Sequence, residues 1–473
     1  MKPTYEQLEQ ELVETKQKLV ETNSKLERTT DLLKQALDRI IALEEKLKLN
    51  SKNSSKPPST DPKGNTSSGS KKDREPRKGV SRTPYPAERV DHQIECSRDC
   101  CAHCGSGAIE LLDVLPKILQ QVELPEVRAI VTEYLLRKYR CHSCGKRSVA
   151  DLPEGTPDSV FGSKLMGLFA HLTGVCHLAK REAIQLIKDL YDVDIGLGSA
   201  SNIEERVSKA LDPVYQRIHK IVIEGEFCKH FDETGWRDSG KKHYVWLASS
   251  KIATFFMIHP NRSKEAFTAL LKGENPSDFA AVTDRYATYN TIDKLHQFCL
   301  AHLIRDFRLY AQRDGPDRKI GAFLEKELGR VCWIHGKYRE GKITLKQRNL
   351  RIGYCKRRVE NWLYYGIANG SDQLCGLCER LLNDFNKLWT FTKVEGMEPT
   401  NNLAERDLRK LVIWRKKSFG TRSNRGQRFV ERITSVAETA KRHGQNALRF
   451  IQNVVANFFA GGPVPYICEN LGV

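Results

Sequence analysis

Apolar residues recur at every seventh position at the start of the chain. Tyr5, Leu12, Leu19, Leu26, Leu33, Ile40 and Leu47 make one seam. Leu8, Thr15, Thr22, Thr29, Ala36 and Leu43 make its companion, and the positions between them are charged. This strict period predicts a coiled coil over residues 1–49, of limited strength because the second seam is partly polar. Such a helix would pair two copies of the chain or dock accessory proteins; the plainer reading is one long solvated helix. From Asn50 the pattern stops. NSSKPPSTDPKGNTSSGSKKDREPRKG offers nothing to bury, which predicts a flexible linker over residues 50–90.

Helical periodicity returns over residues 158–220. FGSKLMGLFAHLTGVCH and LAKREAIQLIKDLY are followed by a break at VDIGLGS and then by ASNIEERVSKALDPVYQRI. Two short helices about a Gly-containing turn suggest a helix-turn-helix unit, although any helical bundle gives the same pattern. From residue 222 the period shortens. IEGEFCKHFDETGW, KKHYVWLASS and ATFFMIHP read as three strands on short turns, the first turn holding Asp238, Ser239 and Gly240. A helix, SKEAFTALLKG, and a fourth strand, FAAVTDRYATY, follow. Residues 291–395 read as mostly helical, and 400–455 as two helices around a basic, Gly-containing loop. The expected fold class is multidomain α+β: the coiled coil and linker, a cysteine-containing unit at 91–155, the helical region at 158–220, an α/β core at 222–440 with a helical insertion at about 300–395, and a C-terminal helix and tail at 441–473.

Length and charge narrow the picture. A chain of 473 residues is too long for one core. The formal net charge is +18 and the pI about 9.2. Basic clusters lie at Lys71–Arg82, Arg351–Arg358 and Arg406–Arg428. An excess of this size predicts a polyanion partner, DNA above all, bound through its phosphates. The plainer alternative is a soluble protein with a basic tail. Lys180 and Arg181 are candidate phosphate contacts in the helical pair, and the linker's cations can touch DNA without sequence preference. No run of about 18 apolar residues exists, and MKPTYEQLEQELVE lacks a signal-peptide core, so a cytoplasmic protein is expected.

Cysteine spacing adds chemistry. Cys101-Ala-His-Cys104-Gly105 and Cys141-His-Ser-Cys144-Gly145 are paired knuckles. In each, the glycine lets the chain turn so that backbone amides face the sulfurs. Four thiolates suit one tetrahedral Zn²⁺, and a closed four-ligand site is structural. The strand-like stretch between the knuckles, Ile109 to Tyr139, fits a zinc ribbon over residues 91–155. Cys96, Cys100, His92, His103 and His142 are near enough in sequence to substitute as ligands; four inert thiols are the alternative. Cys375 and Cys378 lie in a helical pattern without the glycine, and Cys299 and His302 share a similar spacing. A second metal site from those four is one reading, and packing of small side chains in helices is the plainer one.

Three acidic segments carry the sharper expectation: KHFDETGW around Asp232, AVTDRYATYN around Asp284 and TNNLAERDLRK around Glu405. The aspartates end apolar strands, and the glutamate opens a helix that Asn401 or Asn402 could cap. In an RNase-H-like sheet, strand one is central, strands two and three continue antiparallel, and a crossover helix lays strand four beside strand one. Asp232 and Asp284 would then be neighbours, with Glu405 arriving after the helical insertion. Glu233 competes with Asp232, but strand alternation points it to the opposite face. Alone, each acid is more simply an ordinary solvated charge. Together they predict oxygen ligands for two Mg²⁺ or Mn²⁺ ions, a pair that promotes displacement at phosphorus.

HFDETGWR, VTDRYATYN with downstream HQFCLAHLIRDF, and NNLAERDLRK with RKKSFGTRS resemble the signatures of IS66-family transposases. The NSSKPPSTDP linker after a heptad helix and the two-knuckle ribbon are also similar to that family, so the resemblance covers almost the whole chain. It implies a bacterial insertion-sequence transposase of the DDE class with Asp232, Asp284 and Glu405 as its triad. It also implies accessory proteins from the same element and action at the nucleoid. Some DDE enzymes carry Lys or Arg two helical turns after the glutamate; Val412 stands here, which leaves open whether Arg406, Arg409 or Lys410 meets DNA. Arg415, Lys416, Lys417 and Arg422 follow as candidate phosphate clamps, with a solvated basic loop the equal alternative. The expected reaction cuts a strand at the transposon end and joins the 3′-OH to target DNA. The rival readings are a nuclease of the same fold that does not join, and a noncatalytic DNA-binding relic.

Overall fold

The computed structural model describes residues 5–48, 83–292 and 295–467. Most of the expected linker, residues 50–82, lies outside these. The heptad segment is one continuous helix, α1 (Tyr5–Lys48). Leu12, Leu19, Leu26 and Leu33 on its better seam are 55–71 % exposed, so these four find no cover among the described residues. In the polar seam, Thr22 and Thr29 hydroxyls donate back to the carbonyls of Lys18 and Lys25 (both 2.7 Å). No helix among the described residues is long and apolar enough to cross a membrane.

In the cysteine unit only a short hairpin is regular. β1 (Lys138–Arg140) pairs antiparallel with β2 (Arg147–Val149) around the second knuckle. The strand expected from Ile109 to Tyr139 is therefore confined to its last residues. Leu111, Leu115, Ile118 and Leu119 before it are exposed. A strand without neighbours has neither ladder nor packing to hold it.

The sheet that organises the rest begins with β3 (Cys228–Asp238), β4 (Lys241–Ser249) and β5 (Thr254–His259), paired antiparallel in that order. Ser239 and Gly240 in the β3–β4 turn both have left-handed backbone (φ 49° and 78°), which matches the strand twist in a two-residue hairpin. Helix α5 (Lys264–Leu271) then crosses over and returns the chain to β6 (Ala280–Thr283), parallel to β3. A fifth strand, β7 (His296–Phe298), lies parallel to β6, giving the order β5-β4-β3-β6-β7. The sequence pattern did not reveal β7, because three residues are too few to show a period.

Two apolar cores flank this sheet. Helices α6 (Leu300–Ala311), α7 (Pro316–Arg339), α8 (Leu345–Asn369) and α9 (Asp372–Asn383) form a core with Val282, Phe298, Trp389 and Phe391. The larger core joins α2 (Ser163–Gly174), α3 (Lys180–Tyr191) and α4 (Leu197–Lys220) to α10 (Asn402–Ser418), α11 (Asn424–Arg442) and α12 (Ala447–Phe459). Helix α2 approaches α11 and α12 closely because of two glycines. A Cβ on Gly174 would stand 2.7 Å from Ile433, and one on Gly167 2.7 Å from Gln452.

Both sheet edges are covered by side chains. Along β5, the N–H groups of Thr254, Phe256 and Ile258 donate to Thr439 Oγ1 (3.2 Å), Ser435 Oγ (3.0 Å) and Glu431 Oε1 (2.6 Å) on α11. Four helical residues rise about 6 Å and two strand residues about 6.8 Å, so the two rows stay in step. At the other edge, Gln297 accepts from Phe391 N–H (2.9 Å), and Thr390 donates to His296 O (2.7 Å).

Candidate functional site

Backbone register brings the two aspartates together. The parallel pairing of β3 with β6 matches Cys228 to Ala280, Lys229 to Ala281 and His230 to Val282. Carried two residues further, the same offset sets Asp232 beside Asp284, just past the end of β6. Adjacent strands lie about 4.8 Å apart. Asp232 also shares a face of β3 with His230, and that face meets the start of α10.

Asn401 is the rivet between these elements. It is fully buried; its side chain meets His230 Nδ1 (3.0 Å) and donates to Phe231 O (2.8 Å), and its N–H points at Cys299 Sγ (3.1 Å). It occupies the N-cap position of α10, yet its side chain makes no capping bond because the amide is committed to β3. The rivet holds the first turn of α10, and with it Glu405, over the Asp232 face.

Glu233 lies on the other face, as alternation requires. It is buried there and accepts from Arg262 Nε (2.8 Å) and from the Tyr289 hydroxyl. Arg262 stacks over Tyr286 (3.9 Å), whose N–H donates to Asp284 Oδ1 (2.9 Å). Glu233 therefore braces the Asp284 turn from behind.

The electrostatics follow from this crowding. Burial, then the charges of Glu233, Asp284 and Glu405, raise the Asp232 carboxyl well above its ordinary range. Burial also raises Asp284, opposed by the Tyr286 amide and by Arg262 and Arg285. Glu405 accepts from Arg305 Nη2 (3.0 Å), and His302 Nε2 lies 3.5 Å from the same oxygen. The ligand atoms of Cys299, His302 and Glu405 all lie within 4.8 Å of one another. Among the described residues no other set of three or more His, Cys, Asp and Glu ligand atoms is so gathered. The carboxylate oxygens of Asp232, Asp284 and Glu405 are thus not clustered, and Glu405 is drawn towards Arg305 and His302. Burial, then Arg305 and Arg285, lowers His302 to about 4, and burial pushes Cys299 up to about 11.

The pairing of Cys299 and His302 with Cys375 and Cys378 does not form. Cys378 is buried against Gly366 of α8, and Cys375 faces Glu379. In the cysteine unit each knuckle is built. Gly105 N–H donates to Cys101 O (2.9 Å), Gly145 N–H donates to Cys141 O (2.9 Å), and both glycines have positive φ. Backbone amides of His103 and Cys104 lower the Cys101 thiol, and those of Cys144 and Ser143 lower Cys141. The sulfurs of Cys101, Cys104, Cys141 and Cys144 are not gathered within 4.8 Å.

The basic candidates divide into two groups. Arg406, Arg409, Lys416, Lys417 and Arg422 are exposed. Lys410 pairs with Glu438, and burial brings its ammonium down to about 8. Arg415 donates to Gly235 O and to Thr234 Oγ1 (3.5 Å), tying α10 to β3. The loop after α10 is pinned to the same strand. Gly420, at φ 99°, lies so near Arg237 O that an added Cβ would be 2.0 Å away, and Thr421 bonds Asp238 (2.7 Å). Lys180 is paired with Glu204 (2.7 Å), while Arg181 is exposed.

Sequence reasoning missed the braces, Arg262, Tyr289 and Arg305. Each sits in an ordinary turn or helix pattern, and only the fold sets it beside an acid. A family model described as "Transposase IS66 family" matches residues 159–428, and one described as "Family of unknown function (DUF6444)" matches residues 1–89. No curated protein matches the chain.

Proposed function

The chain belongs to the IS66 family of transposases, and we propose that it cuts and joins DNA through a DDE site on an RNase-H-like core. The strand order β5-β4-β3-β6-β7, antiparallel on one side of β3 and parallel on the other, supports that core. The observation that carries the proposal is the shared register of Asp232 and Asp284 beneath the helix bearing Glu405.

The charges of Asp284 and Glu405 add to burial in raising the proton affinity of Asp232, and hard divalent cations relieve that repulsion. The donor set therefore fits Mg²⁺ or Mn²⁺. Asp232 and Asp284 would hold the ions, with Glu405 as the third ligand. When bound, the ions supply Lewis acidity for in-line displacement at phosphorus. The protein's part is to keep the acids in register through Asn401, Glu233 and Arg262, and to hold DNA over them. Arg406, Arg409, Lys416, Lys417 and Arg422 are exposed, and are better placed as phosphate contacts than the more buried Lys410 and Arg415. Cys101, Cys104, Cys141 and Cys144 would take one structural Zn²⁺, whose affinity for thiolates would draw the two knuckles together. Helix α1 would join protomers, or accessory proteins of the element, at transposon ends.

Purified protein and Asp232→Asn, incubated with end DNA and Mg²⁺, test this. Cleavage should fall by more than about a hundredfold, beyond the loss typical of outer-shell changes, with end binding retained. Cleavage at the wild-type rate in the variant would remove Asp232 from the site.

A further inference from the structure

We propose that Cys299, His302 and Glu405 form a second cation site, selective for a soft divalent ion such as Zn²⁺. Nothing in the proposed strand-transfer chemistry uses Cys299 or His302, yet the fold brings both to the third acid. Cys299 is the N-cap residue of α6, and His302 follows one turn later. The amides of His302 and Ala301 bond the Cys299 sulfur from within the helix, and Asn401 N–H reaches it from α10 at 3.1 Å. Three N–H donors thus point at the sulfur and hold it towards Glu405, although burial keeps its thiol protonated without a cation. His302 turns Nε2 towards Glu405 (3.5 Å), and its buried Nδ1 has no hydrogen-bond partner, so no other bond claims the ring. Glu405 supplies an oxygen within 4.8 Å of both ligand atoms.

One sulfur, one imidazole nitrogen and one carboxylate oxygen make a three-ligand set with a fourth position open. That set suits Zn²⁺ and is a poor match for Mg²⁺, which prefers oxygen. Binding would release the Cys299 thiol proton to solvent and displace Arg305 from Glu405. It would also hold Glu405 on the α6 side, away from Asp232 and Asp284. On the proposed reading of the triad, zinc here withdraws the third ligand and stops the reaction.

The full-length protein, His302→Gln and Cys299→Ser are equilibrated with buffered micromolar Zn²⁺, and bound zinc is counted by atomic emission. His302→Gln, a partly exposed position, guards against a folding defect in the buried cysteine variant, and thermal melts check both. The expected result is one zinc fewer per chain in each variant than in wild type. Cys101→Ser should lose a different zinc, so the loss adds in Cys101→Ser/His302→Gln. Equal zinc in wild type and His302→Gln overturns the site. The count needs no DNA chemistry, so it stands apart from any failure of the transposase reading.

Discussion

Asp232 is the residue on which the proposed site turns, and its surroundings make a prediction about stability. Its carboxyl is raised above the ordinary 3.8, so folding favours the protonated form. The stability this provides is present below 3.8 and is lost as pH rises through the raised value. Asparagine cannot ionise and escapes that loss. Metal-free Asp232→Asn should therefore melt higher than metal-free wild type, with a gap that widens as pH rises above 3.8 towards the raised value. Added Mg²⁺ should narrow the gap by stabilising wild type alone. A gap independent of pH would mean that Asp232 does not carry the repulsion. The position of Asp284 just past an apolar strand was legible in the sequence, whereas Asp232 lies inside β3 and not at its end, because pairing with β4 carries the strand on to Asp238. Glu233 was assignable to the other face by alternation alone. Its partners Arg262 and Tyr289 were not, since nothing local to RSKEAF or ATYN marks them as neighbours of a strand acid.

At the scale of elements, the pairing of α11 with β5 shows what a hydrophobic pattern cannot reveal. Glu431, Ser435 and Thr439 are buried polar residues at four-residue spacing, and by pattern alone they belong on a solvated face. They serve instead as acceptors for the edge amides of β5, which would otherwise be open to pairing with another chain. Ser435→Ala should leave the Phe256 amide buried and unpaired, costing about 1–3 kcal/mol in urea unfolding. A loss below about 0.5 kcal/mol, the level of an ordinary surface change, would show that the edge is not held this way. Asn401 teaches the same lesson. TNNLAERDL reads as a helix start with a capping asparagine, and a helix does start there. The side chain goes to β3 instead, because a cross-element bond between fully buried groups leaves fewer polar atoms unpaired than a local cap would. The short strand β7 and the unsupported stretch before β1 mark the other limits, one too brief for periodicity and one apolar without a partner.

For the whole molecule, the helices at 163–220 and the C-terminal helices α11 and α12 share one core with the sheet. The sequence divides them because they lie far apart in the chain and each reads as an independent helical run. Helix α1 makes the opposite case, since its apolar seam is complete in the sequence while Leu12, Leu19, Leu26 and Leu33 lie bare among the described residues. The coiled-coil proposal predicts that Leu19→Asp with Leu26→Asp lowers the mass in solution to that of one chain, measured by light scattering, while the circular dichroism of the α/β core is kept. An unchanged oligomer would assign assembly to another surface. The net charge of +18, with Arg406, Arg409, Lys416, Lys417 and Arg422 exposed along and just after the helix that carries Glu405, sets the expectation that DNA lies across the carboxylates. The most direct test of that account supplies wild type and Glu405→Gln with labelled end DNA, a plasmid target and Mg²⁺, and follows joined product. Joining by wild type and none by Glu405→Gln is the predicted result. Joining at equal rates by both would contradict the assignment of Glu405 and, with it, the triad.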